Sequence, residues 1–246
     1  NNKIPKKWAD IPIIQKKDYQ KKIENIMSRG FSRKNTYIAN TSGSSGVPFF
    51  YAKDKFSHAM TWALTESRYR WYGIELNSKQ ARYFGRPLEK KGRYFEIFKD
   101  YILNRKTMLV FDLSDKALFK HIKLFSKIKF KMIYGYANSL LLFAKFLIRN
   151  NLTLKGLCPS LEICISTSEV LNIDDRQIII LGFGVNVVNE YGVSEAGGIV
   201  AFENKEKNWI LSNETQFIEI VDDDGSIVPY GKEGKILITD LFNKAM

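Results

Sequence analysis

The spacing of hydrophobic positions along this chain changes several times, and each change marks an element. Residues 11–18 read as an extended entry, with Asp18 placed to N-cap a helix running toward residue 30. Tyr37-Ile38-Ala39 and Phe49-Phe50-Tyr51 are short apolar runs that read as strands entering and leaving a polar loop. Alternation puts Phe49 and Tyr51 on one face and Phe50 on the other. Asp54 is placed to cap a helix to about residue 72, with Phe56, Met60, Ala63, Leu64 and Ser67 along one side. Residues 80–113 are mixed and basic, with candidate strands at 81–84 and 108–112. Residues 116–127 form an amphipathic pattern, Lys116, Lys120, Lys123 and Lys127 opposing Leu124, Phe125 and Ile128.

Residues 131–136 read as a strand and turn, and 139–149 as a helix. Two compact apolar runs, 161–166 and 185–189, flank a helical stretch at 174–181. This βαβ pattern favours a parallel sheet and places the chain in the α/β class. From residue 208 the character changes to three strand-like runs, 209–212, 216–221 and 235–240, with a turn at Asp222-Asp223-Asp224-Gly225. The expected organisation is an α/β core over residues 1–207 and the start of a small antiparallel β subdomain over 208–246.

Composition narrows the class. Of 246 residues, 45% are hydrophobic and 26% charged, the balance of a globular protein with a substantial core. No run approaches the roughly 18–20 apolar residues of a membrane span, and the first residues lack a signal peptide's apolar core. A cytoplasmic protein is expected. Cys158 and Cys164 form no Cys-x-x-Cys pair, so zinc and redox chemistry have no support. Charge is divided unevenly: residues 1–150 hold 31 Lys and Arg against 11 Asp and Glu, and residues 151–246 hold 7 against 15. Such asymmetry fits an anionic partner (nucleotide, nucleic acid or membrane surface), but also lysines on solvated helix faces. No RNA-binding signature accompanies it, and no specific nucleic acid is expected.

Two segments carry chemistry. In Asn40-Thr41-Ser42-Gly43-Ser44-Ser45-Gly46-Val47-Pro48, three hydroxyl side chains and two glycines can turn several N–H and O–H groups toward one phosphate. A bland Ser/Gly loop is the competing reading. The loop lacks the Gly-Lys-Ser/Thr ending of a Walker loop and sits between strands rather than before a helix. The second segment is Asn189-Glu190-Tyr191-Gly192-Val193-Ser194-Glu195. Its serine is no hydrolase nucleophile elbow, since Ala196 stands where the last glycine would be. His58 and His121, the two histidines, fit helix packing better than catalysis.

Together these segments resemble the phosphate loop and the Tyr-Gly-x-Ser/Thr-Glu motif of adenylate-forming enzymes, most closely the phenylacetate–CoA ligase type, which includes proteins of capsular polysaccharide biosynthesis. The lead-in Ile11-Pro12-Ile13-Ile14-Gln15-Lys16-Lys17-Asp18, the Gly135-Tyr136 pattern and the string from Gly234 to Met246 match the same family. The resemblance implies an N-terminal adenylate-forming domain that activates a carboxylic acid with ATP and Mg2+ and passes the acyl group to coenzyme A or another acceptor. It implies that Ser42, Gly43, Ser44, Ser45 and Gly46 cradle the leaving phosphates. It further implies that Tyr191 and Gly192 lie against the adenine and that Ser194 touches the α-phosphate or the acyl carboxylate. Glu195 would bind Mg2+, and Glu190, Ser168 and Glu169 would line the nucleotide pocket, Thr167 narrowing that wall where the family has glycine.

The sequence departs from the family in two places. Val47 and Phe49 stand where lysine often flanks the loop proline, removing a charge-assisted contact worth about 1.5–3 kcal/mol. The chain also stops before the family's Arg-Tyr, Gly-Asp and C-terminal lid domain, as a fragment would, and such a fragment is expected to turn over little. Two readings compete with the ligase: a non-catalytic nucleotide- or partner-binding remnant of the same fold, and a basic nucleic-acid-binding protein.

Overall fold

A computed structural model describes residues 11–19, 22–41, 50–85 and 90–246. The phosphate-loop residues Ser42, Gly43, Ser44, Ser45 and Gly46, and Phe49 after them, lie outside the described residues. The chain divides into two compact units: residues 1–64, 193–198 and 211–246 form the first, and 65–192 with 199–210 the second.

In the first unit, β1 (Thr36–Asn40) and β2 (Phe50–Asp54) pair antiparallel, with Asn40 opposite Phe50. Two paired strands thus stand on either side of the phosphate-loop segment, as read from sequence. Phe50 is exposed and Tyr51 buried, as alternation requires, but Ala52, Lys53 and Asp54 are all buried as well. Their cover includes the chain's last residues: Ile23, Ala52 and Ala245 pack together with Ile26, Met27, Phe31, Ile38 and Met246. Polar groups lock the same contact. The Asn243 side chain donates to the Ala52 carbonyl (2.9 Å) and accepts from the Asp54 N–H (3.3 Å). The Asp54 carboxylate accepts from the N–H of Lys244 (2.8 Å) and of Ser57 (2.9 Å). The Ser57 contact N-caps α1 (Lys55–Arg70), the capping role expected of Asp54.

Along α1 the buried side chains are Ser57, Leu64, Arg68 and Tyr69, one stripe at helical spacing. The expected stripe through Phe56, Ala63 and Ser67 is wrong: these are exposed. Phe56 instead packs edge-on against Phe242, ring centroids 5.5 Å apart. Asp18 does not cap a helix either. Its carboxylate accepts from the N–H of Gln15 (2.8 Å), closing a turn, and the described residues before β1 hold only short 3-10 turns. Later in this unit, β10 (Gln216–Val221) and β11 (Lys235–Asp240) pair antiparallel.

The second unit is built on a seven-stranded sheet. Its strands are β3 (Gln80–Phe84), β4 (Arg105–Leu109), β5 (Met132–Tyr136), β6 (Ile163–Thr167), β7 (Asn186–Val193), β8 (Gly198–Glu203) and β9 (Trp209–Leu211), in the order β4-β3-β5-β6-β7-β8-β9. From β4 through β7 every pairing is parallel. The connections are helical, as a parallel sheet demands: α2 (Lys90–Ile102), α3 (Asp115–Phe125), α4 (Ala137–Arg149), the short α5 (Leu154–Leu157) and α6 (Ile173–Phe183). The α/β class with a mainly parallel sheet is as the sequence indicates; α2 and β8 were not foreseen.

One face of this sheet is apolar. Ala81, Tyr83, Met108, Ile133, Cys164 and Val187 pack against Leu118, Phe125, Leu140, Phe143, Leu147, Ile179 and Phe183 from the helices. Both cysteines are free and buried. His121 is buried on this face, its Nδ1 3.0 Å from the Tyr83 hydroxyl. Helices α4 and α6 touch closely because position 182 is glycine: a Cβ there would lie 2.7 Å from the Ala144 carbonyl oxygen.

Asp54 offers a direct test of the first unit. Burial alone would raise its carboxyl, but the N–H groups of Lys244, Ser57 and Phe56 outweigh that and hold it below the ordinary 3.8. A lowered native pKa contributes stability above the unfolded value and loses it as pH falls through the folded one. Asp54→Ala should therefore cost about 1–2 kcal/mol at neutral pH, from the lost cap and the lost Lys244 contact. Urea unfolding should show this deficit shrinking below pH 3.8; a deficit independent of pH would contradict the assignment.

Candidate functional site

The parallel strands carry a second row of side chains, on the face opposite the apolar one. Register places Arg82 beside Tyr134, and Tyr136 beside Thr167 and Glu190, so these residues share a face. Arg82 stacks over Tyr134 (4.6 Å) and Phe84 (5.0 Å). Phe84 meets Tyr134 and Tyr136 with centroids 5.1 and 4.7 Å away. Glu190 is buried among them, its Oε1 accepting from the Tyr134 hydroxyl (2.7 Å) and from Thr167 Oγ1 (3.2 Å). Burial pushes the Glu190 carboxyl above its ordinary value, opposed by the bonds from Tyr134 and Thr167 and by the Arg82 charge. The Tyr134 phenol is raised well above 10.0, chiefly by burial and then by Glu190.

The motif following Glu190 lies on the end of β7 and the turn after it. Tyr191 and Gly192 are exposed, and strand alternation turns Tyr191 away from the face that holds Glu190. Glu190 and Tyr191, expected to serve one nucleotide, thus address opposite sides of the sheet.

Ser194 and Glu195 open a 3-10 turn, Ser194–Ala196, that belongs to the first unit. Two glycines shape it. Gly197 (φ +98°) and Gly198 (φ +103°) take a backbone conformation that side chains rarely adopt, and a Cβ on Gly198 would lie 2.8 Å from Thr61 Cγ2. The Thr61 hydroxyl shares its proton between the Gly197 and Ser57 carbonyls (3.1 Å each), and it accepts from Lys53 Nζ (3.2 Å). Ser194 is exposed and within hydrogen-bonding reach of the Tyr51 phenol. Burial pushes that phenol up to about 12, and the Glu195 charge adds to the rise. Lys53 is buried too; desolvation lowers its pKa while Asp240 and Glu195 raise it. Glu195 itself is half-buried, a carboxylate within the field of a buried ammonium group.

Ser168, directly after β6, is exposed with φ +66°. Glu169 accepts from the N–H of Asn138 (2.7 Å), an otherwise orphaned donor in the first turn of α4. This gives Glu169 a capping role and complements the helix dipole. The sequence reading missed Arg82, Tyr134, Tyr51 and Lys53 as neighbours of the motif residues. Tyr134, in Tyr134-Gly135-Tyr136, had been read only as strand and turn.

No family model matches the chain, and no curated protein matches it. Solved structures do. A 2-hydroxyisobutyryl-CoA ligase, in complex with 2-HIB-AMP and CoA, matches with a TM-score of 0.72 at 14% identity, over 96% of this chain and 52% of its own. The anthranilate CoA ligase AuaEII, in complex with anthranoyl-AMP, matches at 0.59 and 18% identity, over 85% of this chain and 39% of its own. A benzoate CoA ligase from Burkholderia xenovorans LB400 matches at 0.58 and 16%, over 89% and 42%. The fold is that of the N-terminal domain of adenylate-forming ligases. The chain spans about half the length of the first of these proteins.

Glu190 tests the electrostatics of this region. A carboxyl raised by burial is unfavourable when charged, so it reduces stability above its folded pKa and ceases to do so below the ordinary 4.5. Glu190→Gln keeps the side-chain size and an acceptor for Tyr134. Thermal melts should show the variant more stable than the parent at pH 8, with the gain vanishing toward pH 4.5. A variant less stable at pH 8 would show that Glu190 is held as a favourable anion.

Proposed function

We propose that the protein is an adenylate-forming ligase of the phenylacetate–CoA ligase type. In this reading it activates a carboxylic acid with ATP as an acyl-adenylate and passes the acyl group to coenzyme A or another acceptor. Surface-polysaccharide or aromatic-acid metabolism is the setting we favour. The observation that carries the reading is the position of Ser194 and Glu195. They occupy a glycine-shaped turn at the end of a parallel-sheet strand, in a chain folded like three acid–CoA ligases.

In the reaction an acid oxygen attacks the α-phosphorus, a new P–O bond forms, and the bond to pyrophosphate breaks. Two anions must meet, so the protein has to hold both in line and offset their charge. Ser194 offers an exposed hydroxyl to the α-phosphate or the acid. Gly192, without a side chain, lets a planar base approach the strand beside the exposed Tyr191 ring. The serines of residues 42–46 would hold the departing phosphates.

Glu195 fits a magnesium ligand by its chemistry: a half-buried, hard oxygen donor. Among the described residues no three His, Cys, Asp or Glu side chains gather into a metal cage. Magnesium ordinarily needs none, taking one or two carboxylates and completing its shell from phosphate and water. Bound there, the ion would supply charge neutralisation on the phosphates. Lys53 and Thr61 orient the turn that presents Glu195.

Exchange of labelled pyrophosphate into ATP tests the reading. The protein expressed from its full gene should catalyse exchange only when its acid is present, and a panel of aromatic, fatty and sugar acids would find that acid. Glu195→Gln should lower the exchange rate by about 100-fold or more while leaving the melting temperature near that of the parent. Near-normal exchange at saturating Mg2+ with a lowered melting temperature would make Glu195 structural. No exchange with any acid would favour a non-catalytic remnant of the fold.

A further inference from the structure

The sheet of the second unit changes direction at β3. From β3 the chain crosses to β4 on one side, then returns past β3 to form β5 on the other. The two connecting helices take opposite faces. Helix α3 packs on the apolar face through Leu118 and Phe125, whereas Asp100 of α2 bonds to Arg105, which the register places on the Arg82 face. Where connections part in this way, an open α/β sheet leaves a crevice at the carboxyl ends of its strands, the usual seat of a ligand. The last residues of β3 and β5 are Phe84 and Tyr136. With Arg82 and Tyr134 they are half-buried, and the Phe84 ring meets both tyrosine rings.

Two polar groups at this place stand without a partner. Glu190 has its donors in Tyr134 and Thr167. The Arg82 guanidinium stacks on Tyr134 and Phe84 and feels the Glu190 charge, yet among the described residues no acceptor takes any of its N–H groups. The Tyr136 hydroxyl, in the fields of Glu169 and Arg82, has no described hydrogen-bond partner either. Donors without acceptors beside three rings call for a ligand that is flat and anionic. Ring faces and edges pack a planar body, and the guanidinium fork matches a carboxylate through two parallel bonds. We propose that this crevice reads the acid substrate, a flat aromatic acid carrying a second anionic group that Arg82 clamps with the Tyr136 hydroxyl. The clamped group is not the one activated, because a carboxylate neutralised by a guanidinium is a poor nucleophile toward phosphorus. That the ligand is the substrate rests on the adenylation reading; its ring and its second charge rest on β3 and β5 alone.

Saturation-transfer NMR on the protein expressed from its full gene tests the ligand, with benzoate, phthalate, isophthalate and terephthalate as probes. At least one dicarboxylate should bind about tenfold or more tightly than benzoate, and Arg82→Gln should bring that preference to about unity. A parent that binds every dicarboxylate no better than benzoate overturns the proposal, whatever the variant does. A preference unchanged in Arg82→Gln, with only the melting temperature lowered, would make Arg82 a counter-ion for Glu190 and overturn it as well. Pyrophosphate exchange with the same acids separates this from the adenylation reading. Preferred binding without exchange would uphold the crevice and count against adenylation. Exchange with other acids, and no preference for a dicarboxylate, would uphold adenylation and overturn the crevice.

Discussion

A polar side chain carried by a covered parallel sheet costs free energy unless it finds a partner, and on this sheet most do, the fully buried Ser166 hydroxyl on β6 being left without one. Much of the second unit follows from that constraint. One face meets it by being apolar, with Tyr83 and His121 satisfying each other in the middle. The other carries Arg82, Tyr134, Thr167 and Glu190 in adjacent register, so the strands bring donors to the one carboxylate that needs them. Arg176 does the same for Glu203 (2.6 Å), whose other oxygen accepts from the Asn189 N–H (2.9 Å) and so holds β7 at its motif. Side chains are thus held up to Glu190, where pairing with β6 stops, and Tyr191 and Gly192 beyond it are exposed.

The first unit solves a different problem, that of too little sheet. Two hairpins offer few ladder bonds, and their backbone is tied instead by short polar side chains. Asp54 and Asn243 connect β2, the start of α1 and residues 243–245 through four bonds of 2.8–3.3 Å. Asp54, the last residue of β2, is thereby fixed from both sides. Lys53 on the same strand reaches Thr61, and Thr61 reaches the turn after Glu195. A change at Thr61 would therefore move the candidate metal ligand without touching it.

What could be read in the sequence was what is local. The amphipathic spacing of 116–127, the apolar runs of β5 to β7 and the short runs of β1 and β2 all declare themselves within a few residues. Helix α2 did not, because its apolar residues Tyr94, Ile97, Phe98, Tyr101 and Ile102 are exposed while its Asp100 is buried, so residues 80–113 read as merely mixed and basic. Strand β8, Ile199-Val200-Ala201-Phe202 within it, directly follows the motif, and its apolar run was given no element in the sequence reading. Inward and outward sides of α1 were reversed around Phe56 because the stripe that is buried, through Ser57 and Arg68, is polar. In the candidate site, the motif residues were legible through family resemblance. Their partners were not: Glu190 and Tyr134 are 56 positions apart, and no periodicity encodes such a meeting.

The central claim is that residues 42–46 and 191–195 serve one adenylate. Hydrogen exchange read by mass spectrometry, with and without saturating ATP and Mg2+, tests this most directly. The account predicts slowed exchange in peptides covering residues 36–54 and 186–198, with the peptides of α3, α4 and α6 unchanged. Exchange unchanged in both segments, or protection confined to other elements, would contradict it.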